Sequence, residues 1–343
     1  MVTGHAQTSP PVLVVGAGQL GTALRHVMAV DPYWSAWPAL TLDRAALDLC
    51  DAAAIEGCLT QVRPEIVINT AAYNRVDEAE SQPALAFAVN ASAPATLARA
   101  ATRLGARFVQ VSTDYVFSGE SPASAEPARP YREDDLPAPC SVYGASKLAG
   151  EHLARAYAPD ALIVRTSGIY GARPAGTGKR SFAEAILAQL GALHPNAGGR
   201  EAPPILRVVD DQRVSPTYAV DLALAILELV RRDVRGIVHA TNAGSCTWFE
   251  CAQAIVDLVG ASATVVPVAS GERPTAARRP AYSVLDHGRL RDLGMTMPPW
   301  RDALGRYLRE RTAPSGTPAT GVRMDENKNR QEDMGEGIGA ERR

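Results

Sequence analysis

The chain has 343 residues, of which 46% are hydrophobic and 21% are charged, and its formal net charge at pH 7 is -2. This near-neutral balance gives no electrostatic reason to expect nucleic acid or an anionic membrane surface as a partner. The sequence also lacks an apolar run of about 18 residues and a signal-peptide pattern at its start, so we expect a cytoplasmic, globular α/β protein.

Short β-rich runs alternate with alanine-rich segments of helical period from Val12 to about Asn242. This alternation is typical of a Rossmann-type, doubly wound parallel sheet with helices on both faces, and it predicts one such sheet. Segments 83-104 and 217-232 have the apolar spacing of helices with one buried face. The predicted strands are 12-15, 39-42, 65-70, 107-112, 161-166, 205-209 and 236-240.

The predicted organisation is a single NAD(P)-binding unit over 11-310, preceded by a flexible arm (1-10) and followed by a tail (311-343). The tail is rich in charge and glycine and poor in large apolar residues, so we expect it to be disordered. We place the cofactor part mainly in two segments and a smaller C-terminal substrate-binding lobe mainly in two others. These are 11-167 and 205-242 for the cofactor part, and 168-204 and 243-310 for the lobe.

Three connections, 113-139, 168-181 and 267-285, are longer than linkage requires. Long connections in a compact domain usually carry function or are disordered. The first two follow strands, so we expect both to face the ligand site at the carboxyl edge of the sheet.

The first predicted strand runs directly into a glycine-rich turn, GAGQLG, from Gly16 to Gly21, and then into a helix. Glycine permits the tight turn and lets backbone N–H groups approach a pyrophosphate at the positive end of the helix. Further along, Asp43 can accept a hydrogen bond from a ribose hydroxyl, whereas Arg44 could hold a 2′-phosphate. The turn predicts NADPH or NADH as cofactor, and a glycine turn without a ligand is the alternative.

Tyr143 and Lys147 follow a candidate N-cap, Ser141, and are four residues apart, so they share one helical face. An ammonium beside a phenol favours the phenolate and is expected to lower the tyrosine pKa from about 10. Such a tyrosine can give a proton to the oxygen of a carbonyl that receives a hydride. For this pair alone, an ordinary solvated helix face is the alternative.

A strand that ends in hydroxyl groups and a carboxylate precedes this helix, at Ser112, Thr113 and Asp114. Thr113 at the carboxyl end of a strand could hydrogen-bond the same carbonyl and hold it against Tyr143. A turn that only satisfies its own backbone is the alternative. Because the glycine turn, the hydroxyl-rich strand end and the Tyr/Lys helix fall in order on separate βα units, they together favour a reductase site.

The ordered motifs resemble those of the dTDP-4-dehydrorhamnose reductase family of extended short-chain dehydrogenases/reductases, from Val12 to about Tyr307. The resemblance implies reduction of a dTDP-linked 4-keto-6-deoxy sugar by NADPH or NADH. It is carried by Gly18-Gln19-Leu20-Gly21, Leu47-Asp48-Leu49, Ile68 to Tyr73 with Val76 to Glu80, Ser112 to Phe117, Tyr143 to Glu151, Arg165-Thr166-Ser167, Asp211-Gln212, Ser215-Pro216-Thr217 and Arg278-Arg279-Pro280.

The resemblance implies that Tyr143 is the proton donor, that Lys147 tunes it and binds the nicotinamide ribose, and that Thr113 and Asp114 lie beside the sugar carbonyl. It also implies a pyrophosphate loop, an adenine pocket and a segment under the cofactor. The cofactor-binding residues predicted from the motifs and the resemblance together are Gly16, Gly18, Gln19, Leu20, Gly21, Asp43, Arg44, Asp48, Leu49, Ala71, Ala72, Tyr73, Asn74, Val111 and Thr166. Against the family pattern, the glycine turn is one residue short.

Three departures from the family pattern fall on the substrate side. Gly168 stands where the family usually has a tryptophan that packs on the sugar, which is expected to widen the sugar site. Tyr282 replaces an asparagine, and Ser181 replaces the asparagine of an Asn-Phe pair. We expect the reaction type to be kept and leave the identity of the sugar open. The predicted substrate residues are Thr113, Asp114, Gly168, Arg213 and Arg279, and the basic candidates for the diphosphate are Lys179, Arg180, Arg207, Arg213, Arg278 and Arg279.

No required metal is expected. Some relatives bridge dimers through a magnesium ion held by a glutamate after the glycine turn, and Thr22 and Ala23 stand there instead. The five cysteines contain no CxxC pair, so they predict neither a disulfide framework nor a zinc site. A homodimer is the assembly we consider.

Two other functions stay open from the sequence. A nucleotide-sugar epimerase or dehydratase shares the fold and the Tyr/Lys pair, but keeps a tightly bound cofactor that is regenerated in each cycle. A non-catalytic regulatory subunit, like the one that binds methionine adenosyltransferase, also resembles this family. The presence of Tyr143, Lys147 and Thr113 argues against the second.

Overall fold

The computed structural model describes residues 11-120, 129-174, 180-193 and 203-312. The predicted arm, 1-10, lies outside the described residues, as does the predicted tail from residue 313 onwards. No helix in these described ranges is both long and apolar enough to cross a membrane.

The strands, in chain order, are β1 (Val12–Val15), β2 (Ala39–Leu42), β3 (Ile66–Asn69), β4 (Arg107–Thr113), β5 (Leu162–Thr166), β6 (Ile169–Tyr170), β7 (Ile205–Val209), β8 (Arg213–Val214), β9 (Thr217–Tyr218), β10 (Gly236–His239), β11 (Cys246–Thr247) and β12 (Thr264–Val268). The helices are α1 (Gln19–Val30), α2 (Ala52–Val62), α3 (Val76–Ser81), α4 (Pro83–Phe87), α5 (Ala93–Arg103), α6 (Val142–Tyr157), α7 (Phe182–Leu193), α8 (Ala219–Arg231), α9 (Trp248–Val259), α10 (Gly288–Asp292) and α11 (Trp300–Thr312).

The centre of the fold is a six-stranded sheet in the order β10-β5-β4-β3-β1-β2, with all pairs parallel. Helices cover both faces: Val12 and Val14 of β1 pack with α1 and α8, while Leu13 and Val15 pack with α2, α5 and α6. A parallel strand buried on both faces needs an unbroken apolar run, which β1 has. The predicted Rossmann-type doubly wound sheet is confirmed.

The prediction that 205-209 belongs to the central sheet is wrong. These residues form β7, but β7 pairs with β12 in a separate two-stranded parallel sheet that packs with α7, α9 and α11. The physical reason is the strand's alternating pattern: Ile205 is 66% exposed and Leu206 is buried, and Arg207 is again exposed. A strand with one exposed face lies at the surface of a two-layer lobe.

The predicted helix 83-104 is present, but it is interrupted by a π-helical turn, Ala88–Ser92, between α4 and α5. Pro94 in the first turn of α5 has no N–H to donate to the carbonyl of Asn90, four residues before it. Gly150 of α6 lies directly against that carbonyl, because a Cβ on Gly150 would overlap the Asn90 oxygen. The π turn therefore brings α6 and its catalytic-motif residues close to the end of β3.

The first and third of the long connections meet each other at the carboxyl edge of the sheet. Tyr131 bridges to Leu285, and its backbone N–H donates to the carbonyl of Val284 at 2.8 Å. Tyr282 bridges to Arg213 in the same way. The third connection, 267-285, which we did not predict to face the site, thus lies over the end of β4.

Candidate active site

The glycine turn has the shape that a pyrophosphate requires. Gly16 has φ +107°, and a Cβ there would lie 2.7 Å from the backbone nitrogen of Ala71. A Cβ on Gly21 would overlap the carbonyl oxygen of Gly16, so both glycines are needed for packing. Gly18 differs, since a Cβ there would meet no atom within 4 Å. It is the N-cap of α1 and provides no side-chain cap, so the helix begins at open space suited to an anionic group.

Gln19 and Leu20 act differently from each other in this turn. The Gln19 side-chain amide donates to the carbonyl of Gly171 at 3.3 Å and to Glu184 at 3.2 Å, which links the turn to α7. The Leu20 side chain is buried in the core under the sheet. Leu20 therefore offers its backbone, and not its side chain, to the cofactor side.

Asp43 and Asp48, the acidic residues predicted for the ribose and adenine, accept hydrogen bonds from backbone N–H groups of the turns that they begin. One Asp43 oxygen accepts from the N–H groups of Ala45 at 3.0 Å and Ala46 at 2.9 Å. Asp48 accepts from Cys50 at 2.9 Å in the same manner. Both carboxylates are exposed, as is Arg44, and Leu49 packs partly against the core. The residues after β2 form an ordered, exposed rim.

The segment from Ala71 to Asn74 is fixed between β1 and α6. Ala71 donates its N–H to Val15 at 3.0 Å, and Tyr73 donates to the Asn90 side chain at 2.8 Å. Asn90 in turn donates to the carbonyl of Tyr73 and to Ser146 on α6. The structure therefore brings this segment together with the glycine turn and α6. Ala72 is partly buried and Asn74 is exposed.

Ser141 caps α6 as predicted, accepting from the N–H of Gly144 at 3.2 Å. The first turn of α6 packs on the end of β4, because a Cβ on Gly144 would overlap the carbonyl oxygen of Tyr115. This contact places the Tyr143 phenol close to the Thr113 hydroxyl, which acts to lower the pKa of the phenol. Tyr115 lies edge-on to Tyr143, with 5.7 Å between ring centroids.

The expectation that Lys147 lowers the pKa of Tyr143 is wrong for this structure. Desolvation raises the pKa of Tyr143 to about 12, against the hydrogen bond from Thr113, and the Asp114 charge acts in the same direction as desolvation. The Lys147 ammonium instead donates to the carbonyl of Val111 at 2.7 Å. Tyr143 thus keeps its proton at neutral pH, as a proton donor must.

Lys147 is itself only 4% exposed, and this burial lowers its pKa to about 8, with Glu151 acting in the opposite direction. Asp114 is 2% exposed and accepts from three hydroxyls: Thr113 at 3.1 Å, Ser167 at 2.8 Å and Ser283 at 2.5 Å. Burial raises the pKa of Asp114, while those hydrogen bonds lower it. The carboxyl is held rigidly beside the Thr113–Tyr143 pair.

Ser167 and Ser283 were missed as site residues. Ser167 is the last residue of the Arg165-Thr166-Ser167 motif that resembles the family pattern. Ser283 lies in the third long connection. A hydroxyl just after a strand end was the available signal for Ser167. For Ser283 the available signal was its place as the retained serine of the family's Arg-Pro-x-Asn-Ser pattern, directly after Tyr282. Its position beside Asp114 depends on the pairing of the third connection with β8.

Thr166 lies at the end of β5, in register with Thr113 of β4. Its side-chain oxygen is buried and has no hydrogen-bond partner among the described residues. A buried polar atom without a partner is costly, so a ligand group that bonds it would be stabilised. This orphaned hydroxyl and the open start of α1 fit a dinucleotide at the carboxyl edge of the sheet.

Gly168 does not open the space we expected. Its φ is +53°, and a Cβ there would lie 3.3 Å from both the Cα of Pro216 and the Cη2 of Trp248. The Trp248 ring packs against Phe182 with 4.5 Å between centroids, and both rings are partly buried. Trp248, at the start of α9, therefore fills the place next to Gly168, and the sequence analysis missed it.

The predicted arginines differ in their surroundings. Arg213 is half-exposed and pairs with Glu250 at 3.3 Å, and its carbonyl accepts from the N–H of Ser283 at 3.0 Å. Arg279 forms a two-pronged pair with Asp77, the shorter contact being 2.7 Å. The structure thus brings Arg213 to the Asp114 side of the site, while Arg279 ties the third connection to α3.

Among the other basic candidates, Arg207 on β7 pairs with Glu272 at 2.7 Å. Arg180 and Arg278 are exposed. Lys179 lies outside the described residues.

Residues 11-313 match the family model described as RmlD substrate binding domain. The chain is 42% identical over 307 residues to the dTDP-4-dehydrorhamnose reductase of Mycobacterium tuberculosis (strain CDC 1551 / Oshkosh), covering 88% of this chain and 94% of that protein. It is 36% identical over 303 residues to the spore coat polysaccharide biosynthesis protein SpsK of Bacillus subtilis (strain 168), covering 88% and 98%.

A similar solved structure is the dTDP-4-dehydrorhamnose reductase of Bacillus anthracis str. Ames in complex with NADP. Its TM-score to this chain is 0.78 at 34% sequence identity, covering 88% of this chain and 99% of that one. The range matched by the family model, 11-313, includes every strand and helix of the described structure.

Proposed function

This chain belongs to the dTDP-4-dehydrorhamnose reductase family, and from this we propose that it is an oxidoreductase that uses NADPH or NADH to reduce the 4-ketone of a dTDP-4-keto-6-deoxyhexose. The observation that supports the chemistry is the placement of the Tyr143 phenol beside the Thr113 hydroxyl at the carboxyl edge of the sheet. Next to it lie an open helix start and an orphaned buried hydroxyl.

The residues that would hold the cofactor form a continuous edge of the sheet. Gly16, Gly18 and Gly21 would receive the pyrophosphate, and Asp43 and Arg44 the adenosine ribose. The Ala71 to Asn74 segment, Val111 and Thr166 would lie along the rest. The bound cofactor supplies the hydride, and the protein supplies position and the proton.

Tyr143 performs the proton step in this proposal. Its high pKa keeps the proton on the phenol until a strongly basic oxygen develops on the substrate, to which the phenol then donates. Thr113 holds the carbonyl oxygen against Tyr143. Lys147, while charged, would bind the nicotinamide ribose. The buried carboxyl of Asp114 would orient a sugar hydroxyl.

The substrate-binding lobe is proposed to consist mainly of 168-204 and 243-310, together with β7, which pairs with β12 of this lobe. Trp248 and Phe182 would form the apolar wall for the sugar ring, because Trp248 lies beside Gly168 and Phe182 packs on Trp248. Gly168 directly follows Ser167, whose hydroxyl donates to Asp114. Arg213 is the proposed diphosphate ligand. A cytoplasmic location and a homodimer are further proposals, and gel filtration of the purified protein tests the second.

The assay that tests the function is the loss of reduced-nicotinamide absorbance when the protein is mixed with dTDP-4-keto-6-deoxy sugars and either cofactor. We expect loss in proportion to the sugar added. An epimerase or dehydratase would give product without net cofactor consumption. A regulatory subunit would give neither, and would instead retain a partner in a pull-down. Failure of every keto sugar with both cofactors would overturn the ketoreductase proposal.

A further inference from the structure

An ion pair is buried beside the proposed catalytic lysine. Glu151 on α6 is 3% exposed and Arg165 on β5 is 2% exposed, and they are joined by an Nη2–Oε2 contact of 2.8 Å and an Nε–Oε1 contact of 3.0 Å. Burying two charges costs several kcal/mol per ion in desolvation, which the attraction between them offsets only with good geometry. A pair in this position therefore needs an explanation beyond stability.

Glu151 and Lys147 both form hydrogen bonds with the carboxyl end of β4. They are four residues apart on α6 and so share one face of the helix. The Lys147 ammonium donates to the carbonyl of Val111, and Ser112, the next residue, donates its hydroxyl to Glu151 Oε1 at 2.5 Å. The carboxylate is thus held from three sides, by α6, by β4 and by the arginine of β5.

Burial favours the uncharged form of Lys147, whereas the Glu151 carboxylate favours the charged form. An opposite charge nearby favours the ionised form of a titratable group. In the proposed reaction the ammonium is the group that would bind the nicotinamide ribose. Glu151 consequently acts on the reaction through Lys147, without reaching the substrate.

The other titratable groups around this end of α6 are few. Among the described residues, Tyr143 and Glu151 lie on α6 and Cys140 lies just before it. Asp114 and Tyr115 follow β4, and Arg165 lies on β5. Glu80 of α3 accepts a hydrogen bond from the N–H of Val142 at 2.9 Å. His239 of β10, opposite Arg165 in the sheet register, is neutral, because desolvation and the Arg165 charge lower its pKa to about 3. Of these groups, Glu151 is the one whose charge supports the ammonium.

We propose that Glu151 is a positioning residue for the reduction: held by Arg165 and Ser112, its carboxylate keeps Lys147 charged and fixed at the end of β4. The proposal rests on the proposed ketoreductase function. It assigns a role to a buried ion pair whose two members come from different elements, Glu151 from α6 and Arg165 from β5.

The test is the pH profile of kcat in Glu151→Gln. Without the carboxylate, Lys147 loses its proton more easily, so the basic limb is expected to move to lower pH by roughly 1 to 3 units. Glu151→Asp keeps the charge and is expected to keep the wild-type limb. A matched control is Glu56→Gln, which removes an exposed carboxylate paired with Arg99 at 2.7 Å and is expected to change nothing. A Glu151→Gln limb that coincides with the wild type overturns the proposal.

A second measurement needs no turnover: the pH dependence of NADPH affinity, followed by cofactor fluorescence. The affinity of Glu151→Gln is expected to fall at lower pH than that of the wild type. If this variant does not fold, Glu151→Gln/Arg165→Met removes both charges and leaves none unpaired, and the same direction of shift is expected. A wild type that consumes no cofactor refutes the proposed function alone. An unshifted NADPH profile in the folded single or double variant refutes the role of Glu151.

Discussion

Tyr143 and Lys147 lie on one face of α6, and burial moves their pKa values in opposite directions, to about 12 and about 8. Each shift favours the uncharged form, because desolvation penalises charge of either sign. Their four-residue spacing could be predicted from the sequence, whereas the direction of the tyrosine shift could not. That direction depends on how deeply the first turn of α6 is packed on the end of β4.

The pKa of Lys147 sets a pH dependence for the proposed reduction. Its ammonium is present below about pH 8 and is lost as the pH rises through that value. We therefore expect kcat for reduction to fall on the alkaline side with a midpoint near 8, measured from initial rates at saturating substrate. A rate that stays level up to pH 10.5, the ordinary lysine value, would contradict this assignment.

Thr113 is expected to contribute a hydrogen bond to the reacting oxygen. Thr113→Val keeps the shape and removes the hydroxyl, so kcat should fall by about 10²- to 10³-fold with NADPH affinity retained. Thr113→Ser retains the hydroxyl and serves as the control, with a much smaller loss. Equal losses in the two variants would show that packing, and not the hydroxyl, is what matters at this position.

Trp248 is expected to contact the sugar. Trp248→Ala should raise KM for the sugar nucleotide by about 3- to 10-fold, while Trp248→Phe retains most of the binding. Trp37→Ala removes another partly buried tryptophan, packed on the core near α1, and is expected to leave KM unchanged. Steady-state kinetics at fixed NADPH decide this, and an unchanged KM in Trp248→Ala would place the sugar elsewhere.

At the scale of elements, the glycine turn contains two kinds of glycine: Gly21 is packed against the protein, whereas Gly18 faces open space. Gly21→Ala should lower stability by about 1 to 3 kcal/mol, because its methyl group would overlap the Gly16 carbonyl. Gly18→Ala meets no protein atom, so it should fold normally and weaken NADPH binding. Thermal melts and fluorescence titrations of the two variants check this. Wild-type NADPH affinity in Gly18→Ala would contradict a pyrophosphate at this turn.

Element types followed from the sequence more reliably than their pairing. The strands of the central sheet were predictable because apolar runs such as β1 are buried on both faces. The place of β7 was not, since its pairing with β12 depends on residues almost sixty positions away. Its alternating exposure appears only in the structure, because four of its five residues are apolar. Likewise, nothing local predicted that Pro94 would accompany a π turn that brings α6 to the end of β3.

At the scale of the whole molecule, the site is completed by segments far apart in the chain. Asp114 comes from the end of β4, Ser167 from the end of β5 and Ser283 from the third long connection. Gln19 contacts Glu184 at the start of α7, which joins the cofactor side to the lobe. Sequence motifs identified Asp114 and Gln19 as site residues, whereas the contacts that these residues make depend on the tertiary fold.

The central claim is that hydride and proton are delivered to one ketone at this edge of the sheet. The most direct measurement uses cofactor deuterated at both hydrogens of the nicotinamide C4, with a dTDP-4-keto-6-deoxyhexose as substrate, and locates the label in the product by NMR. We expect deuterium at C4 of the sugar for the wild type and almost no product for Tyr143→Phe, which still binds cofactor. A reduced sugar without deuterium at C4, or full turnover by Tyr143→Phe, would contradict this claim.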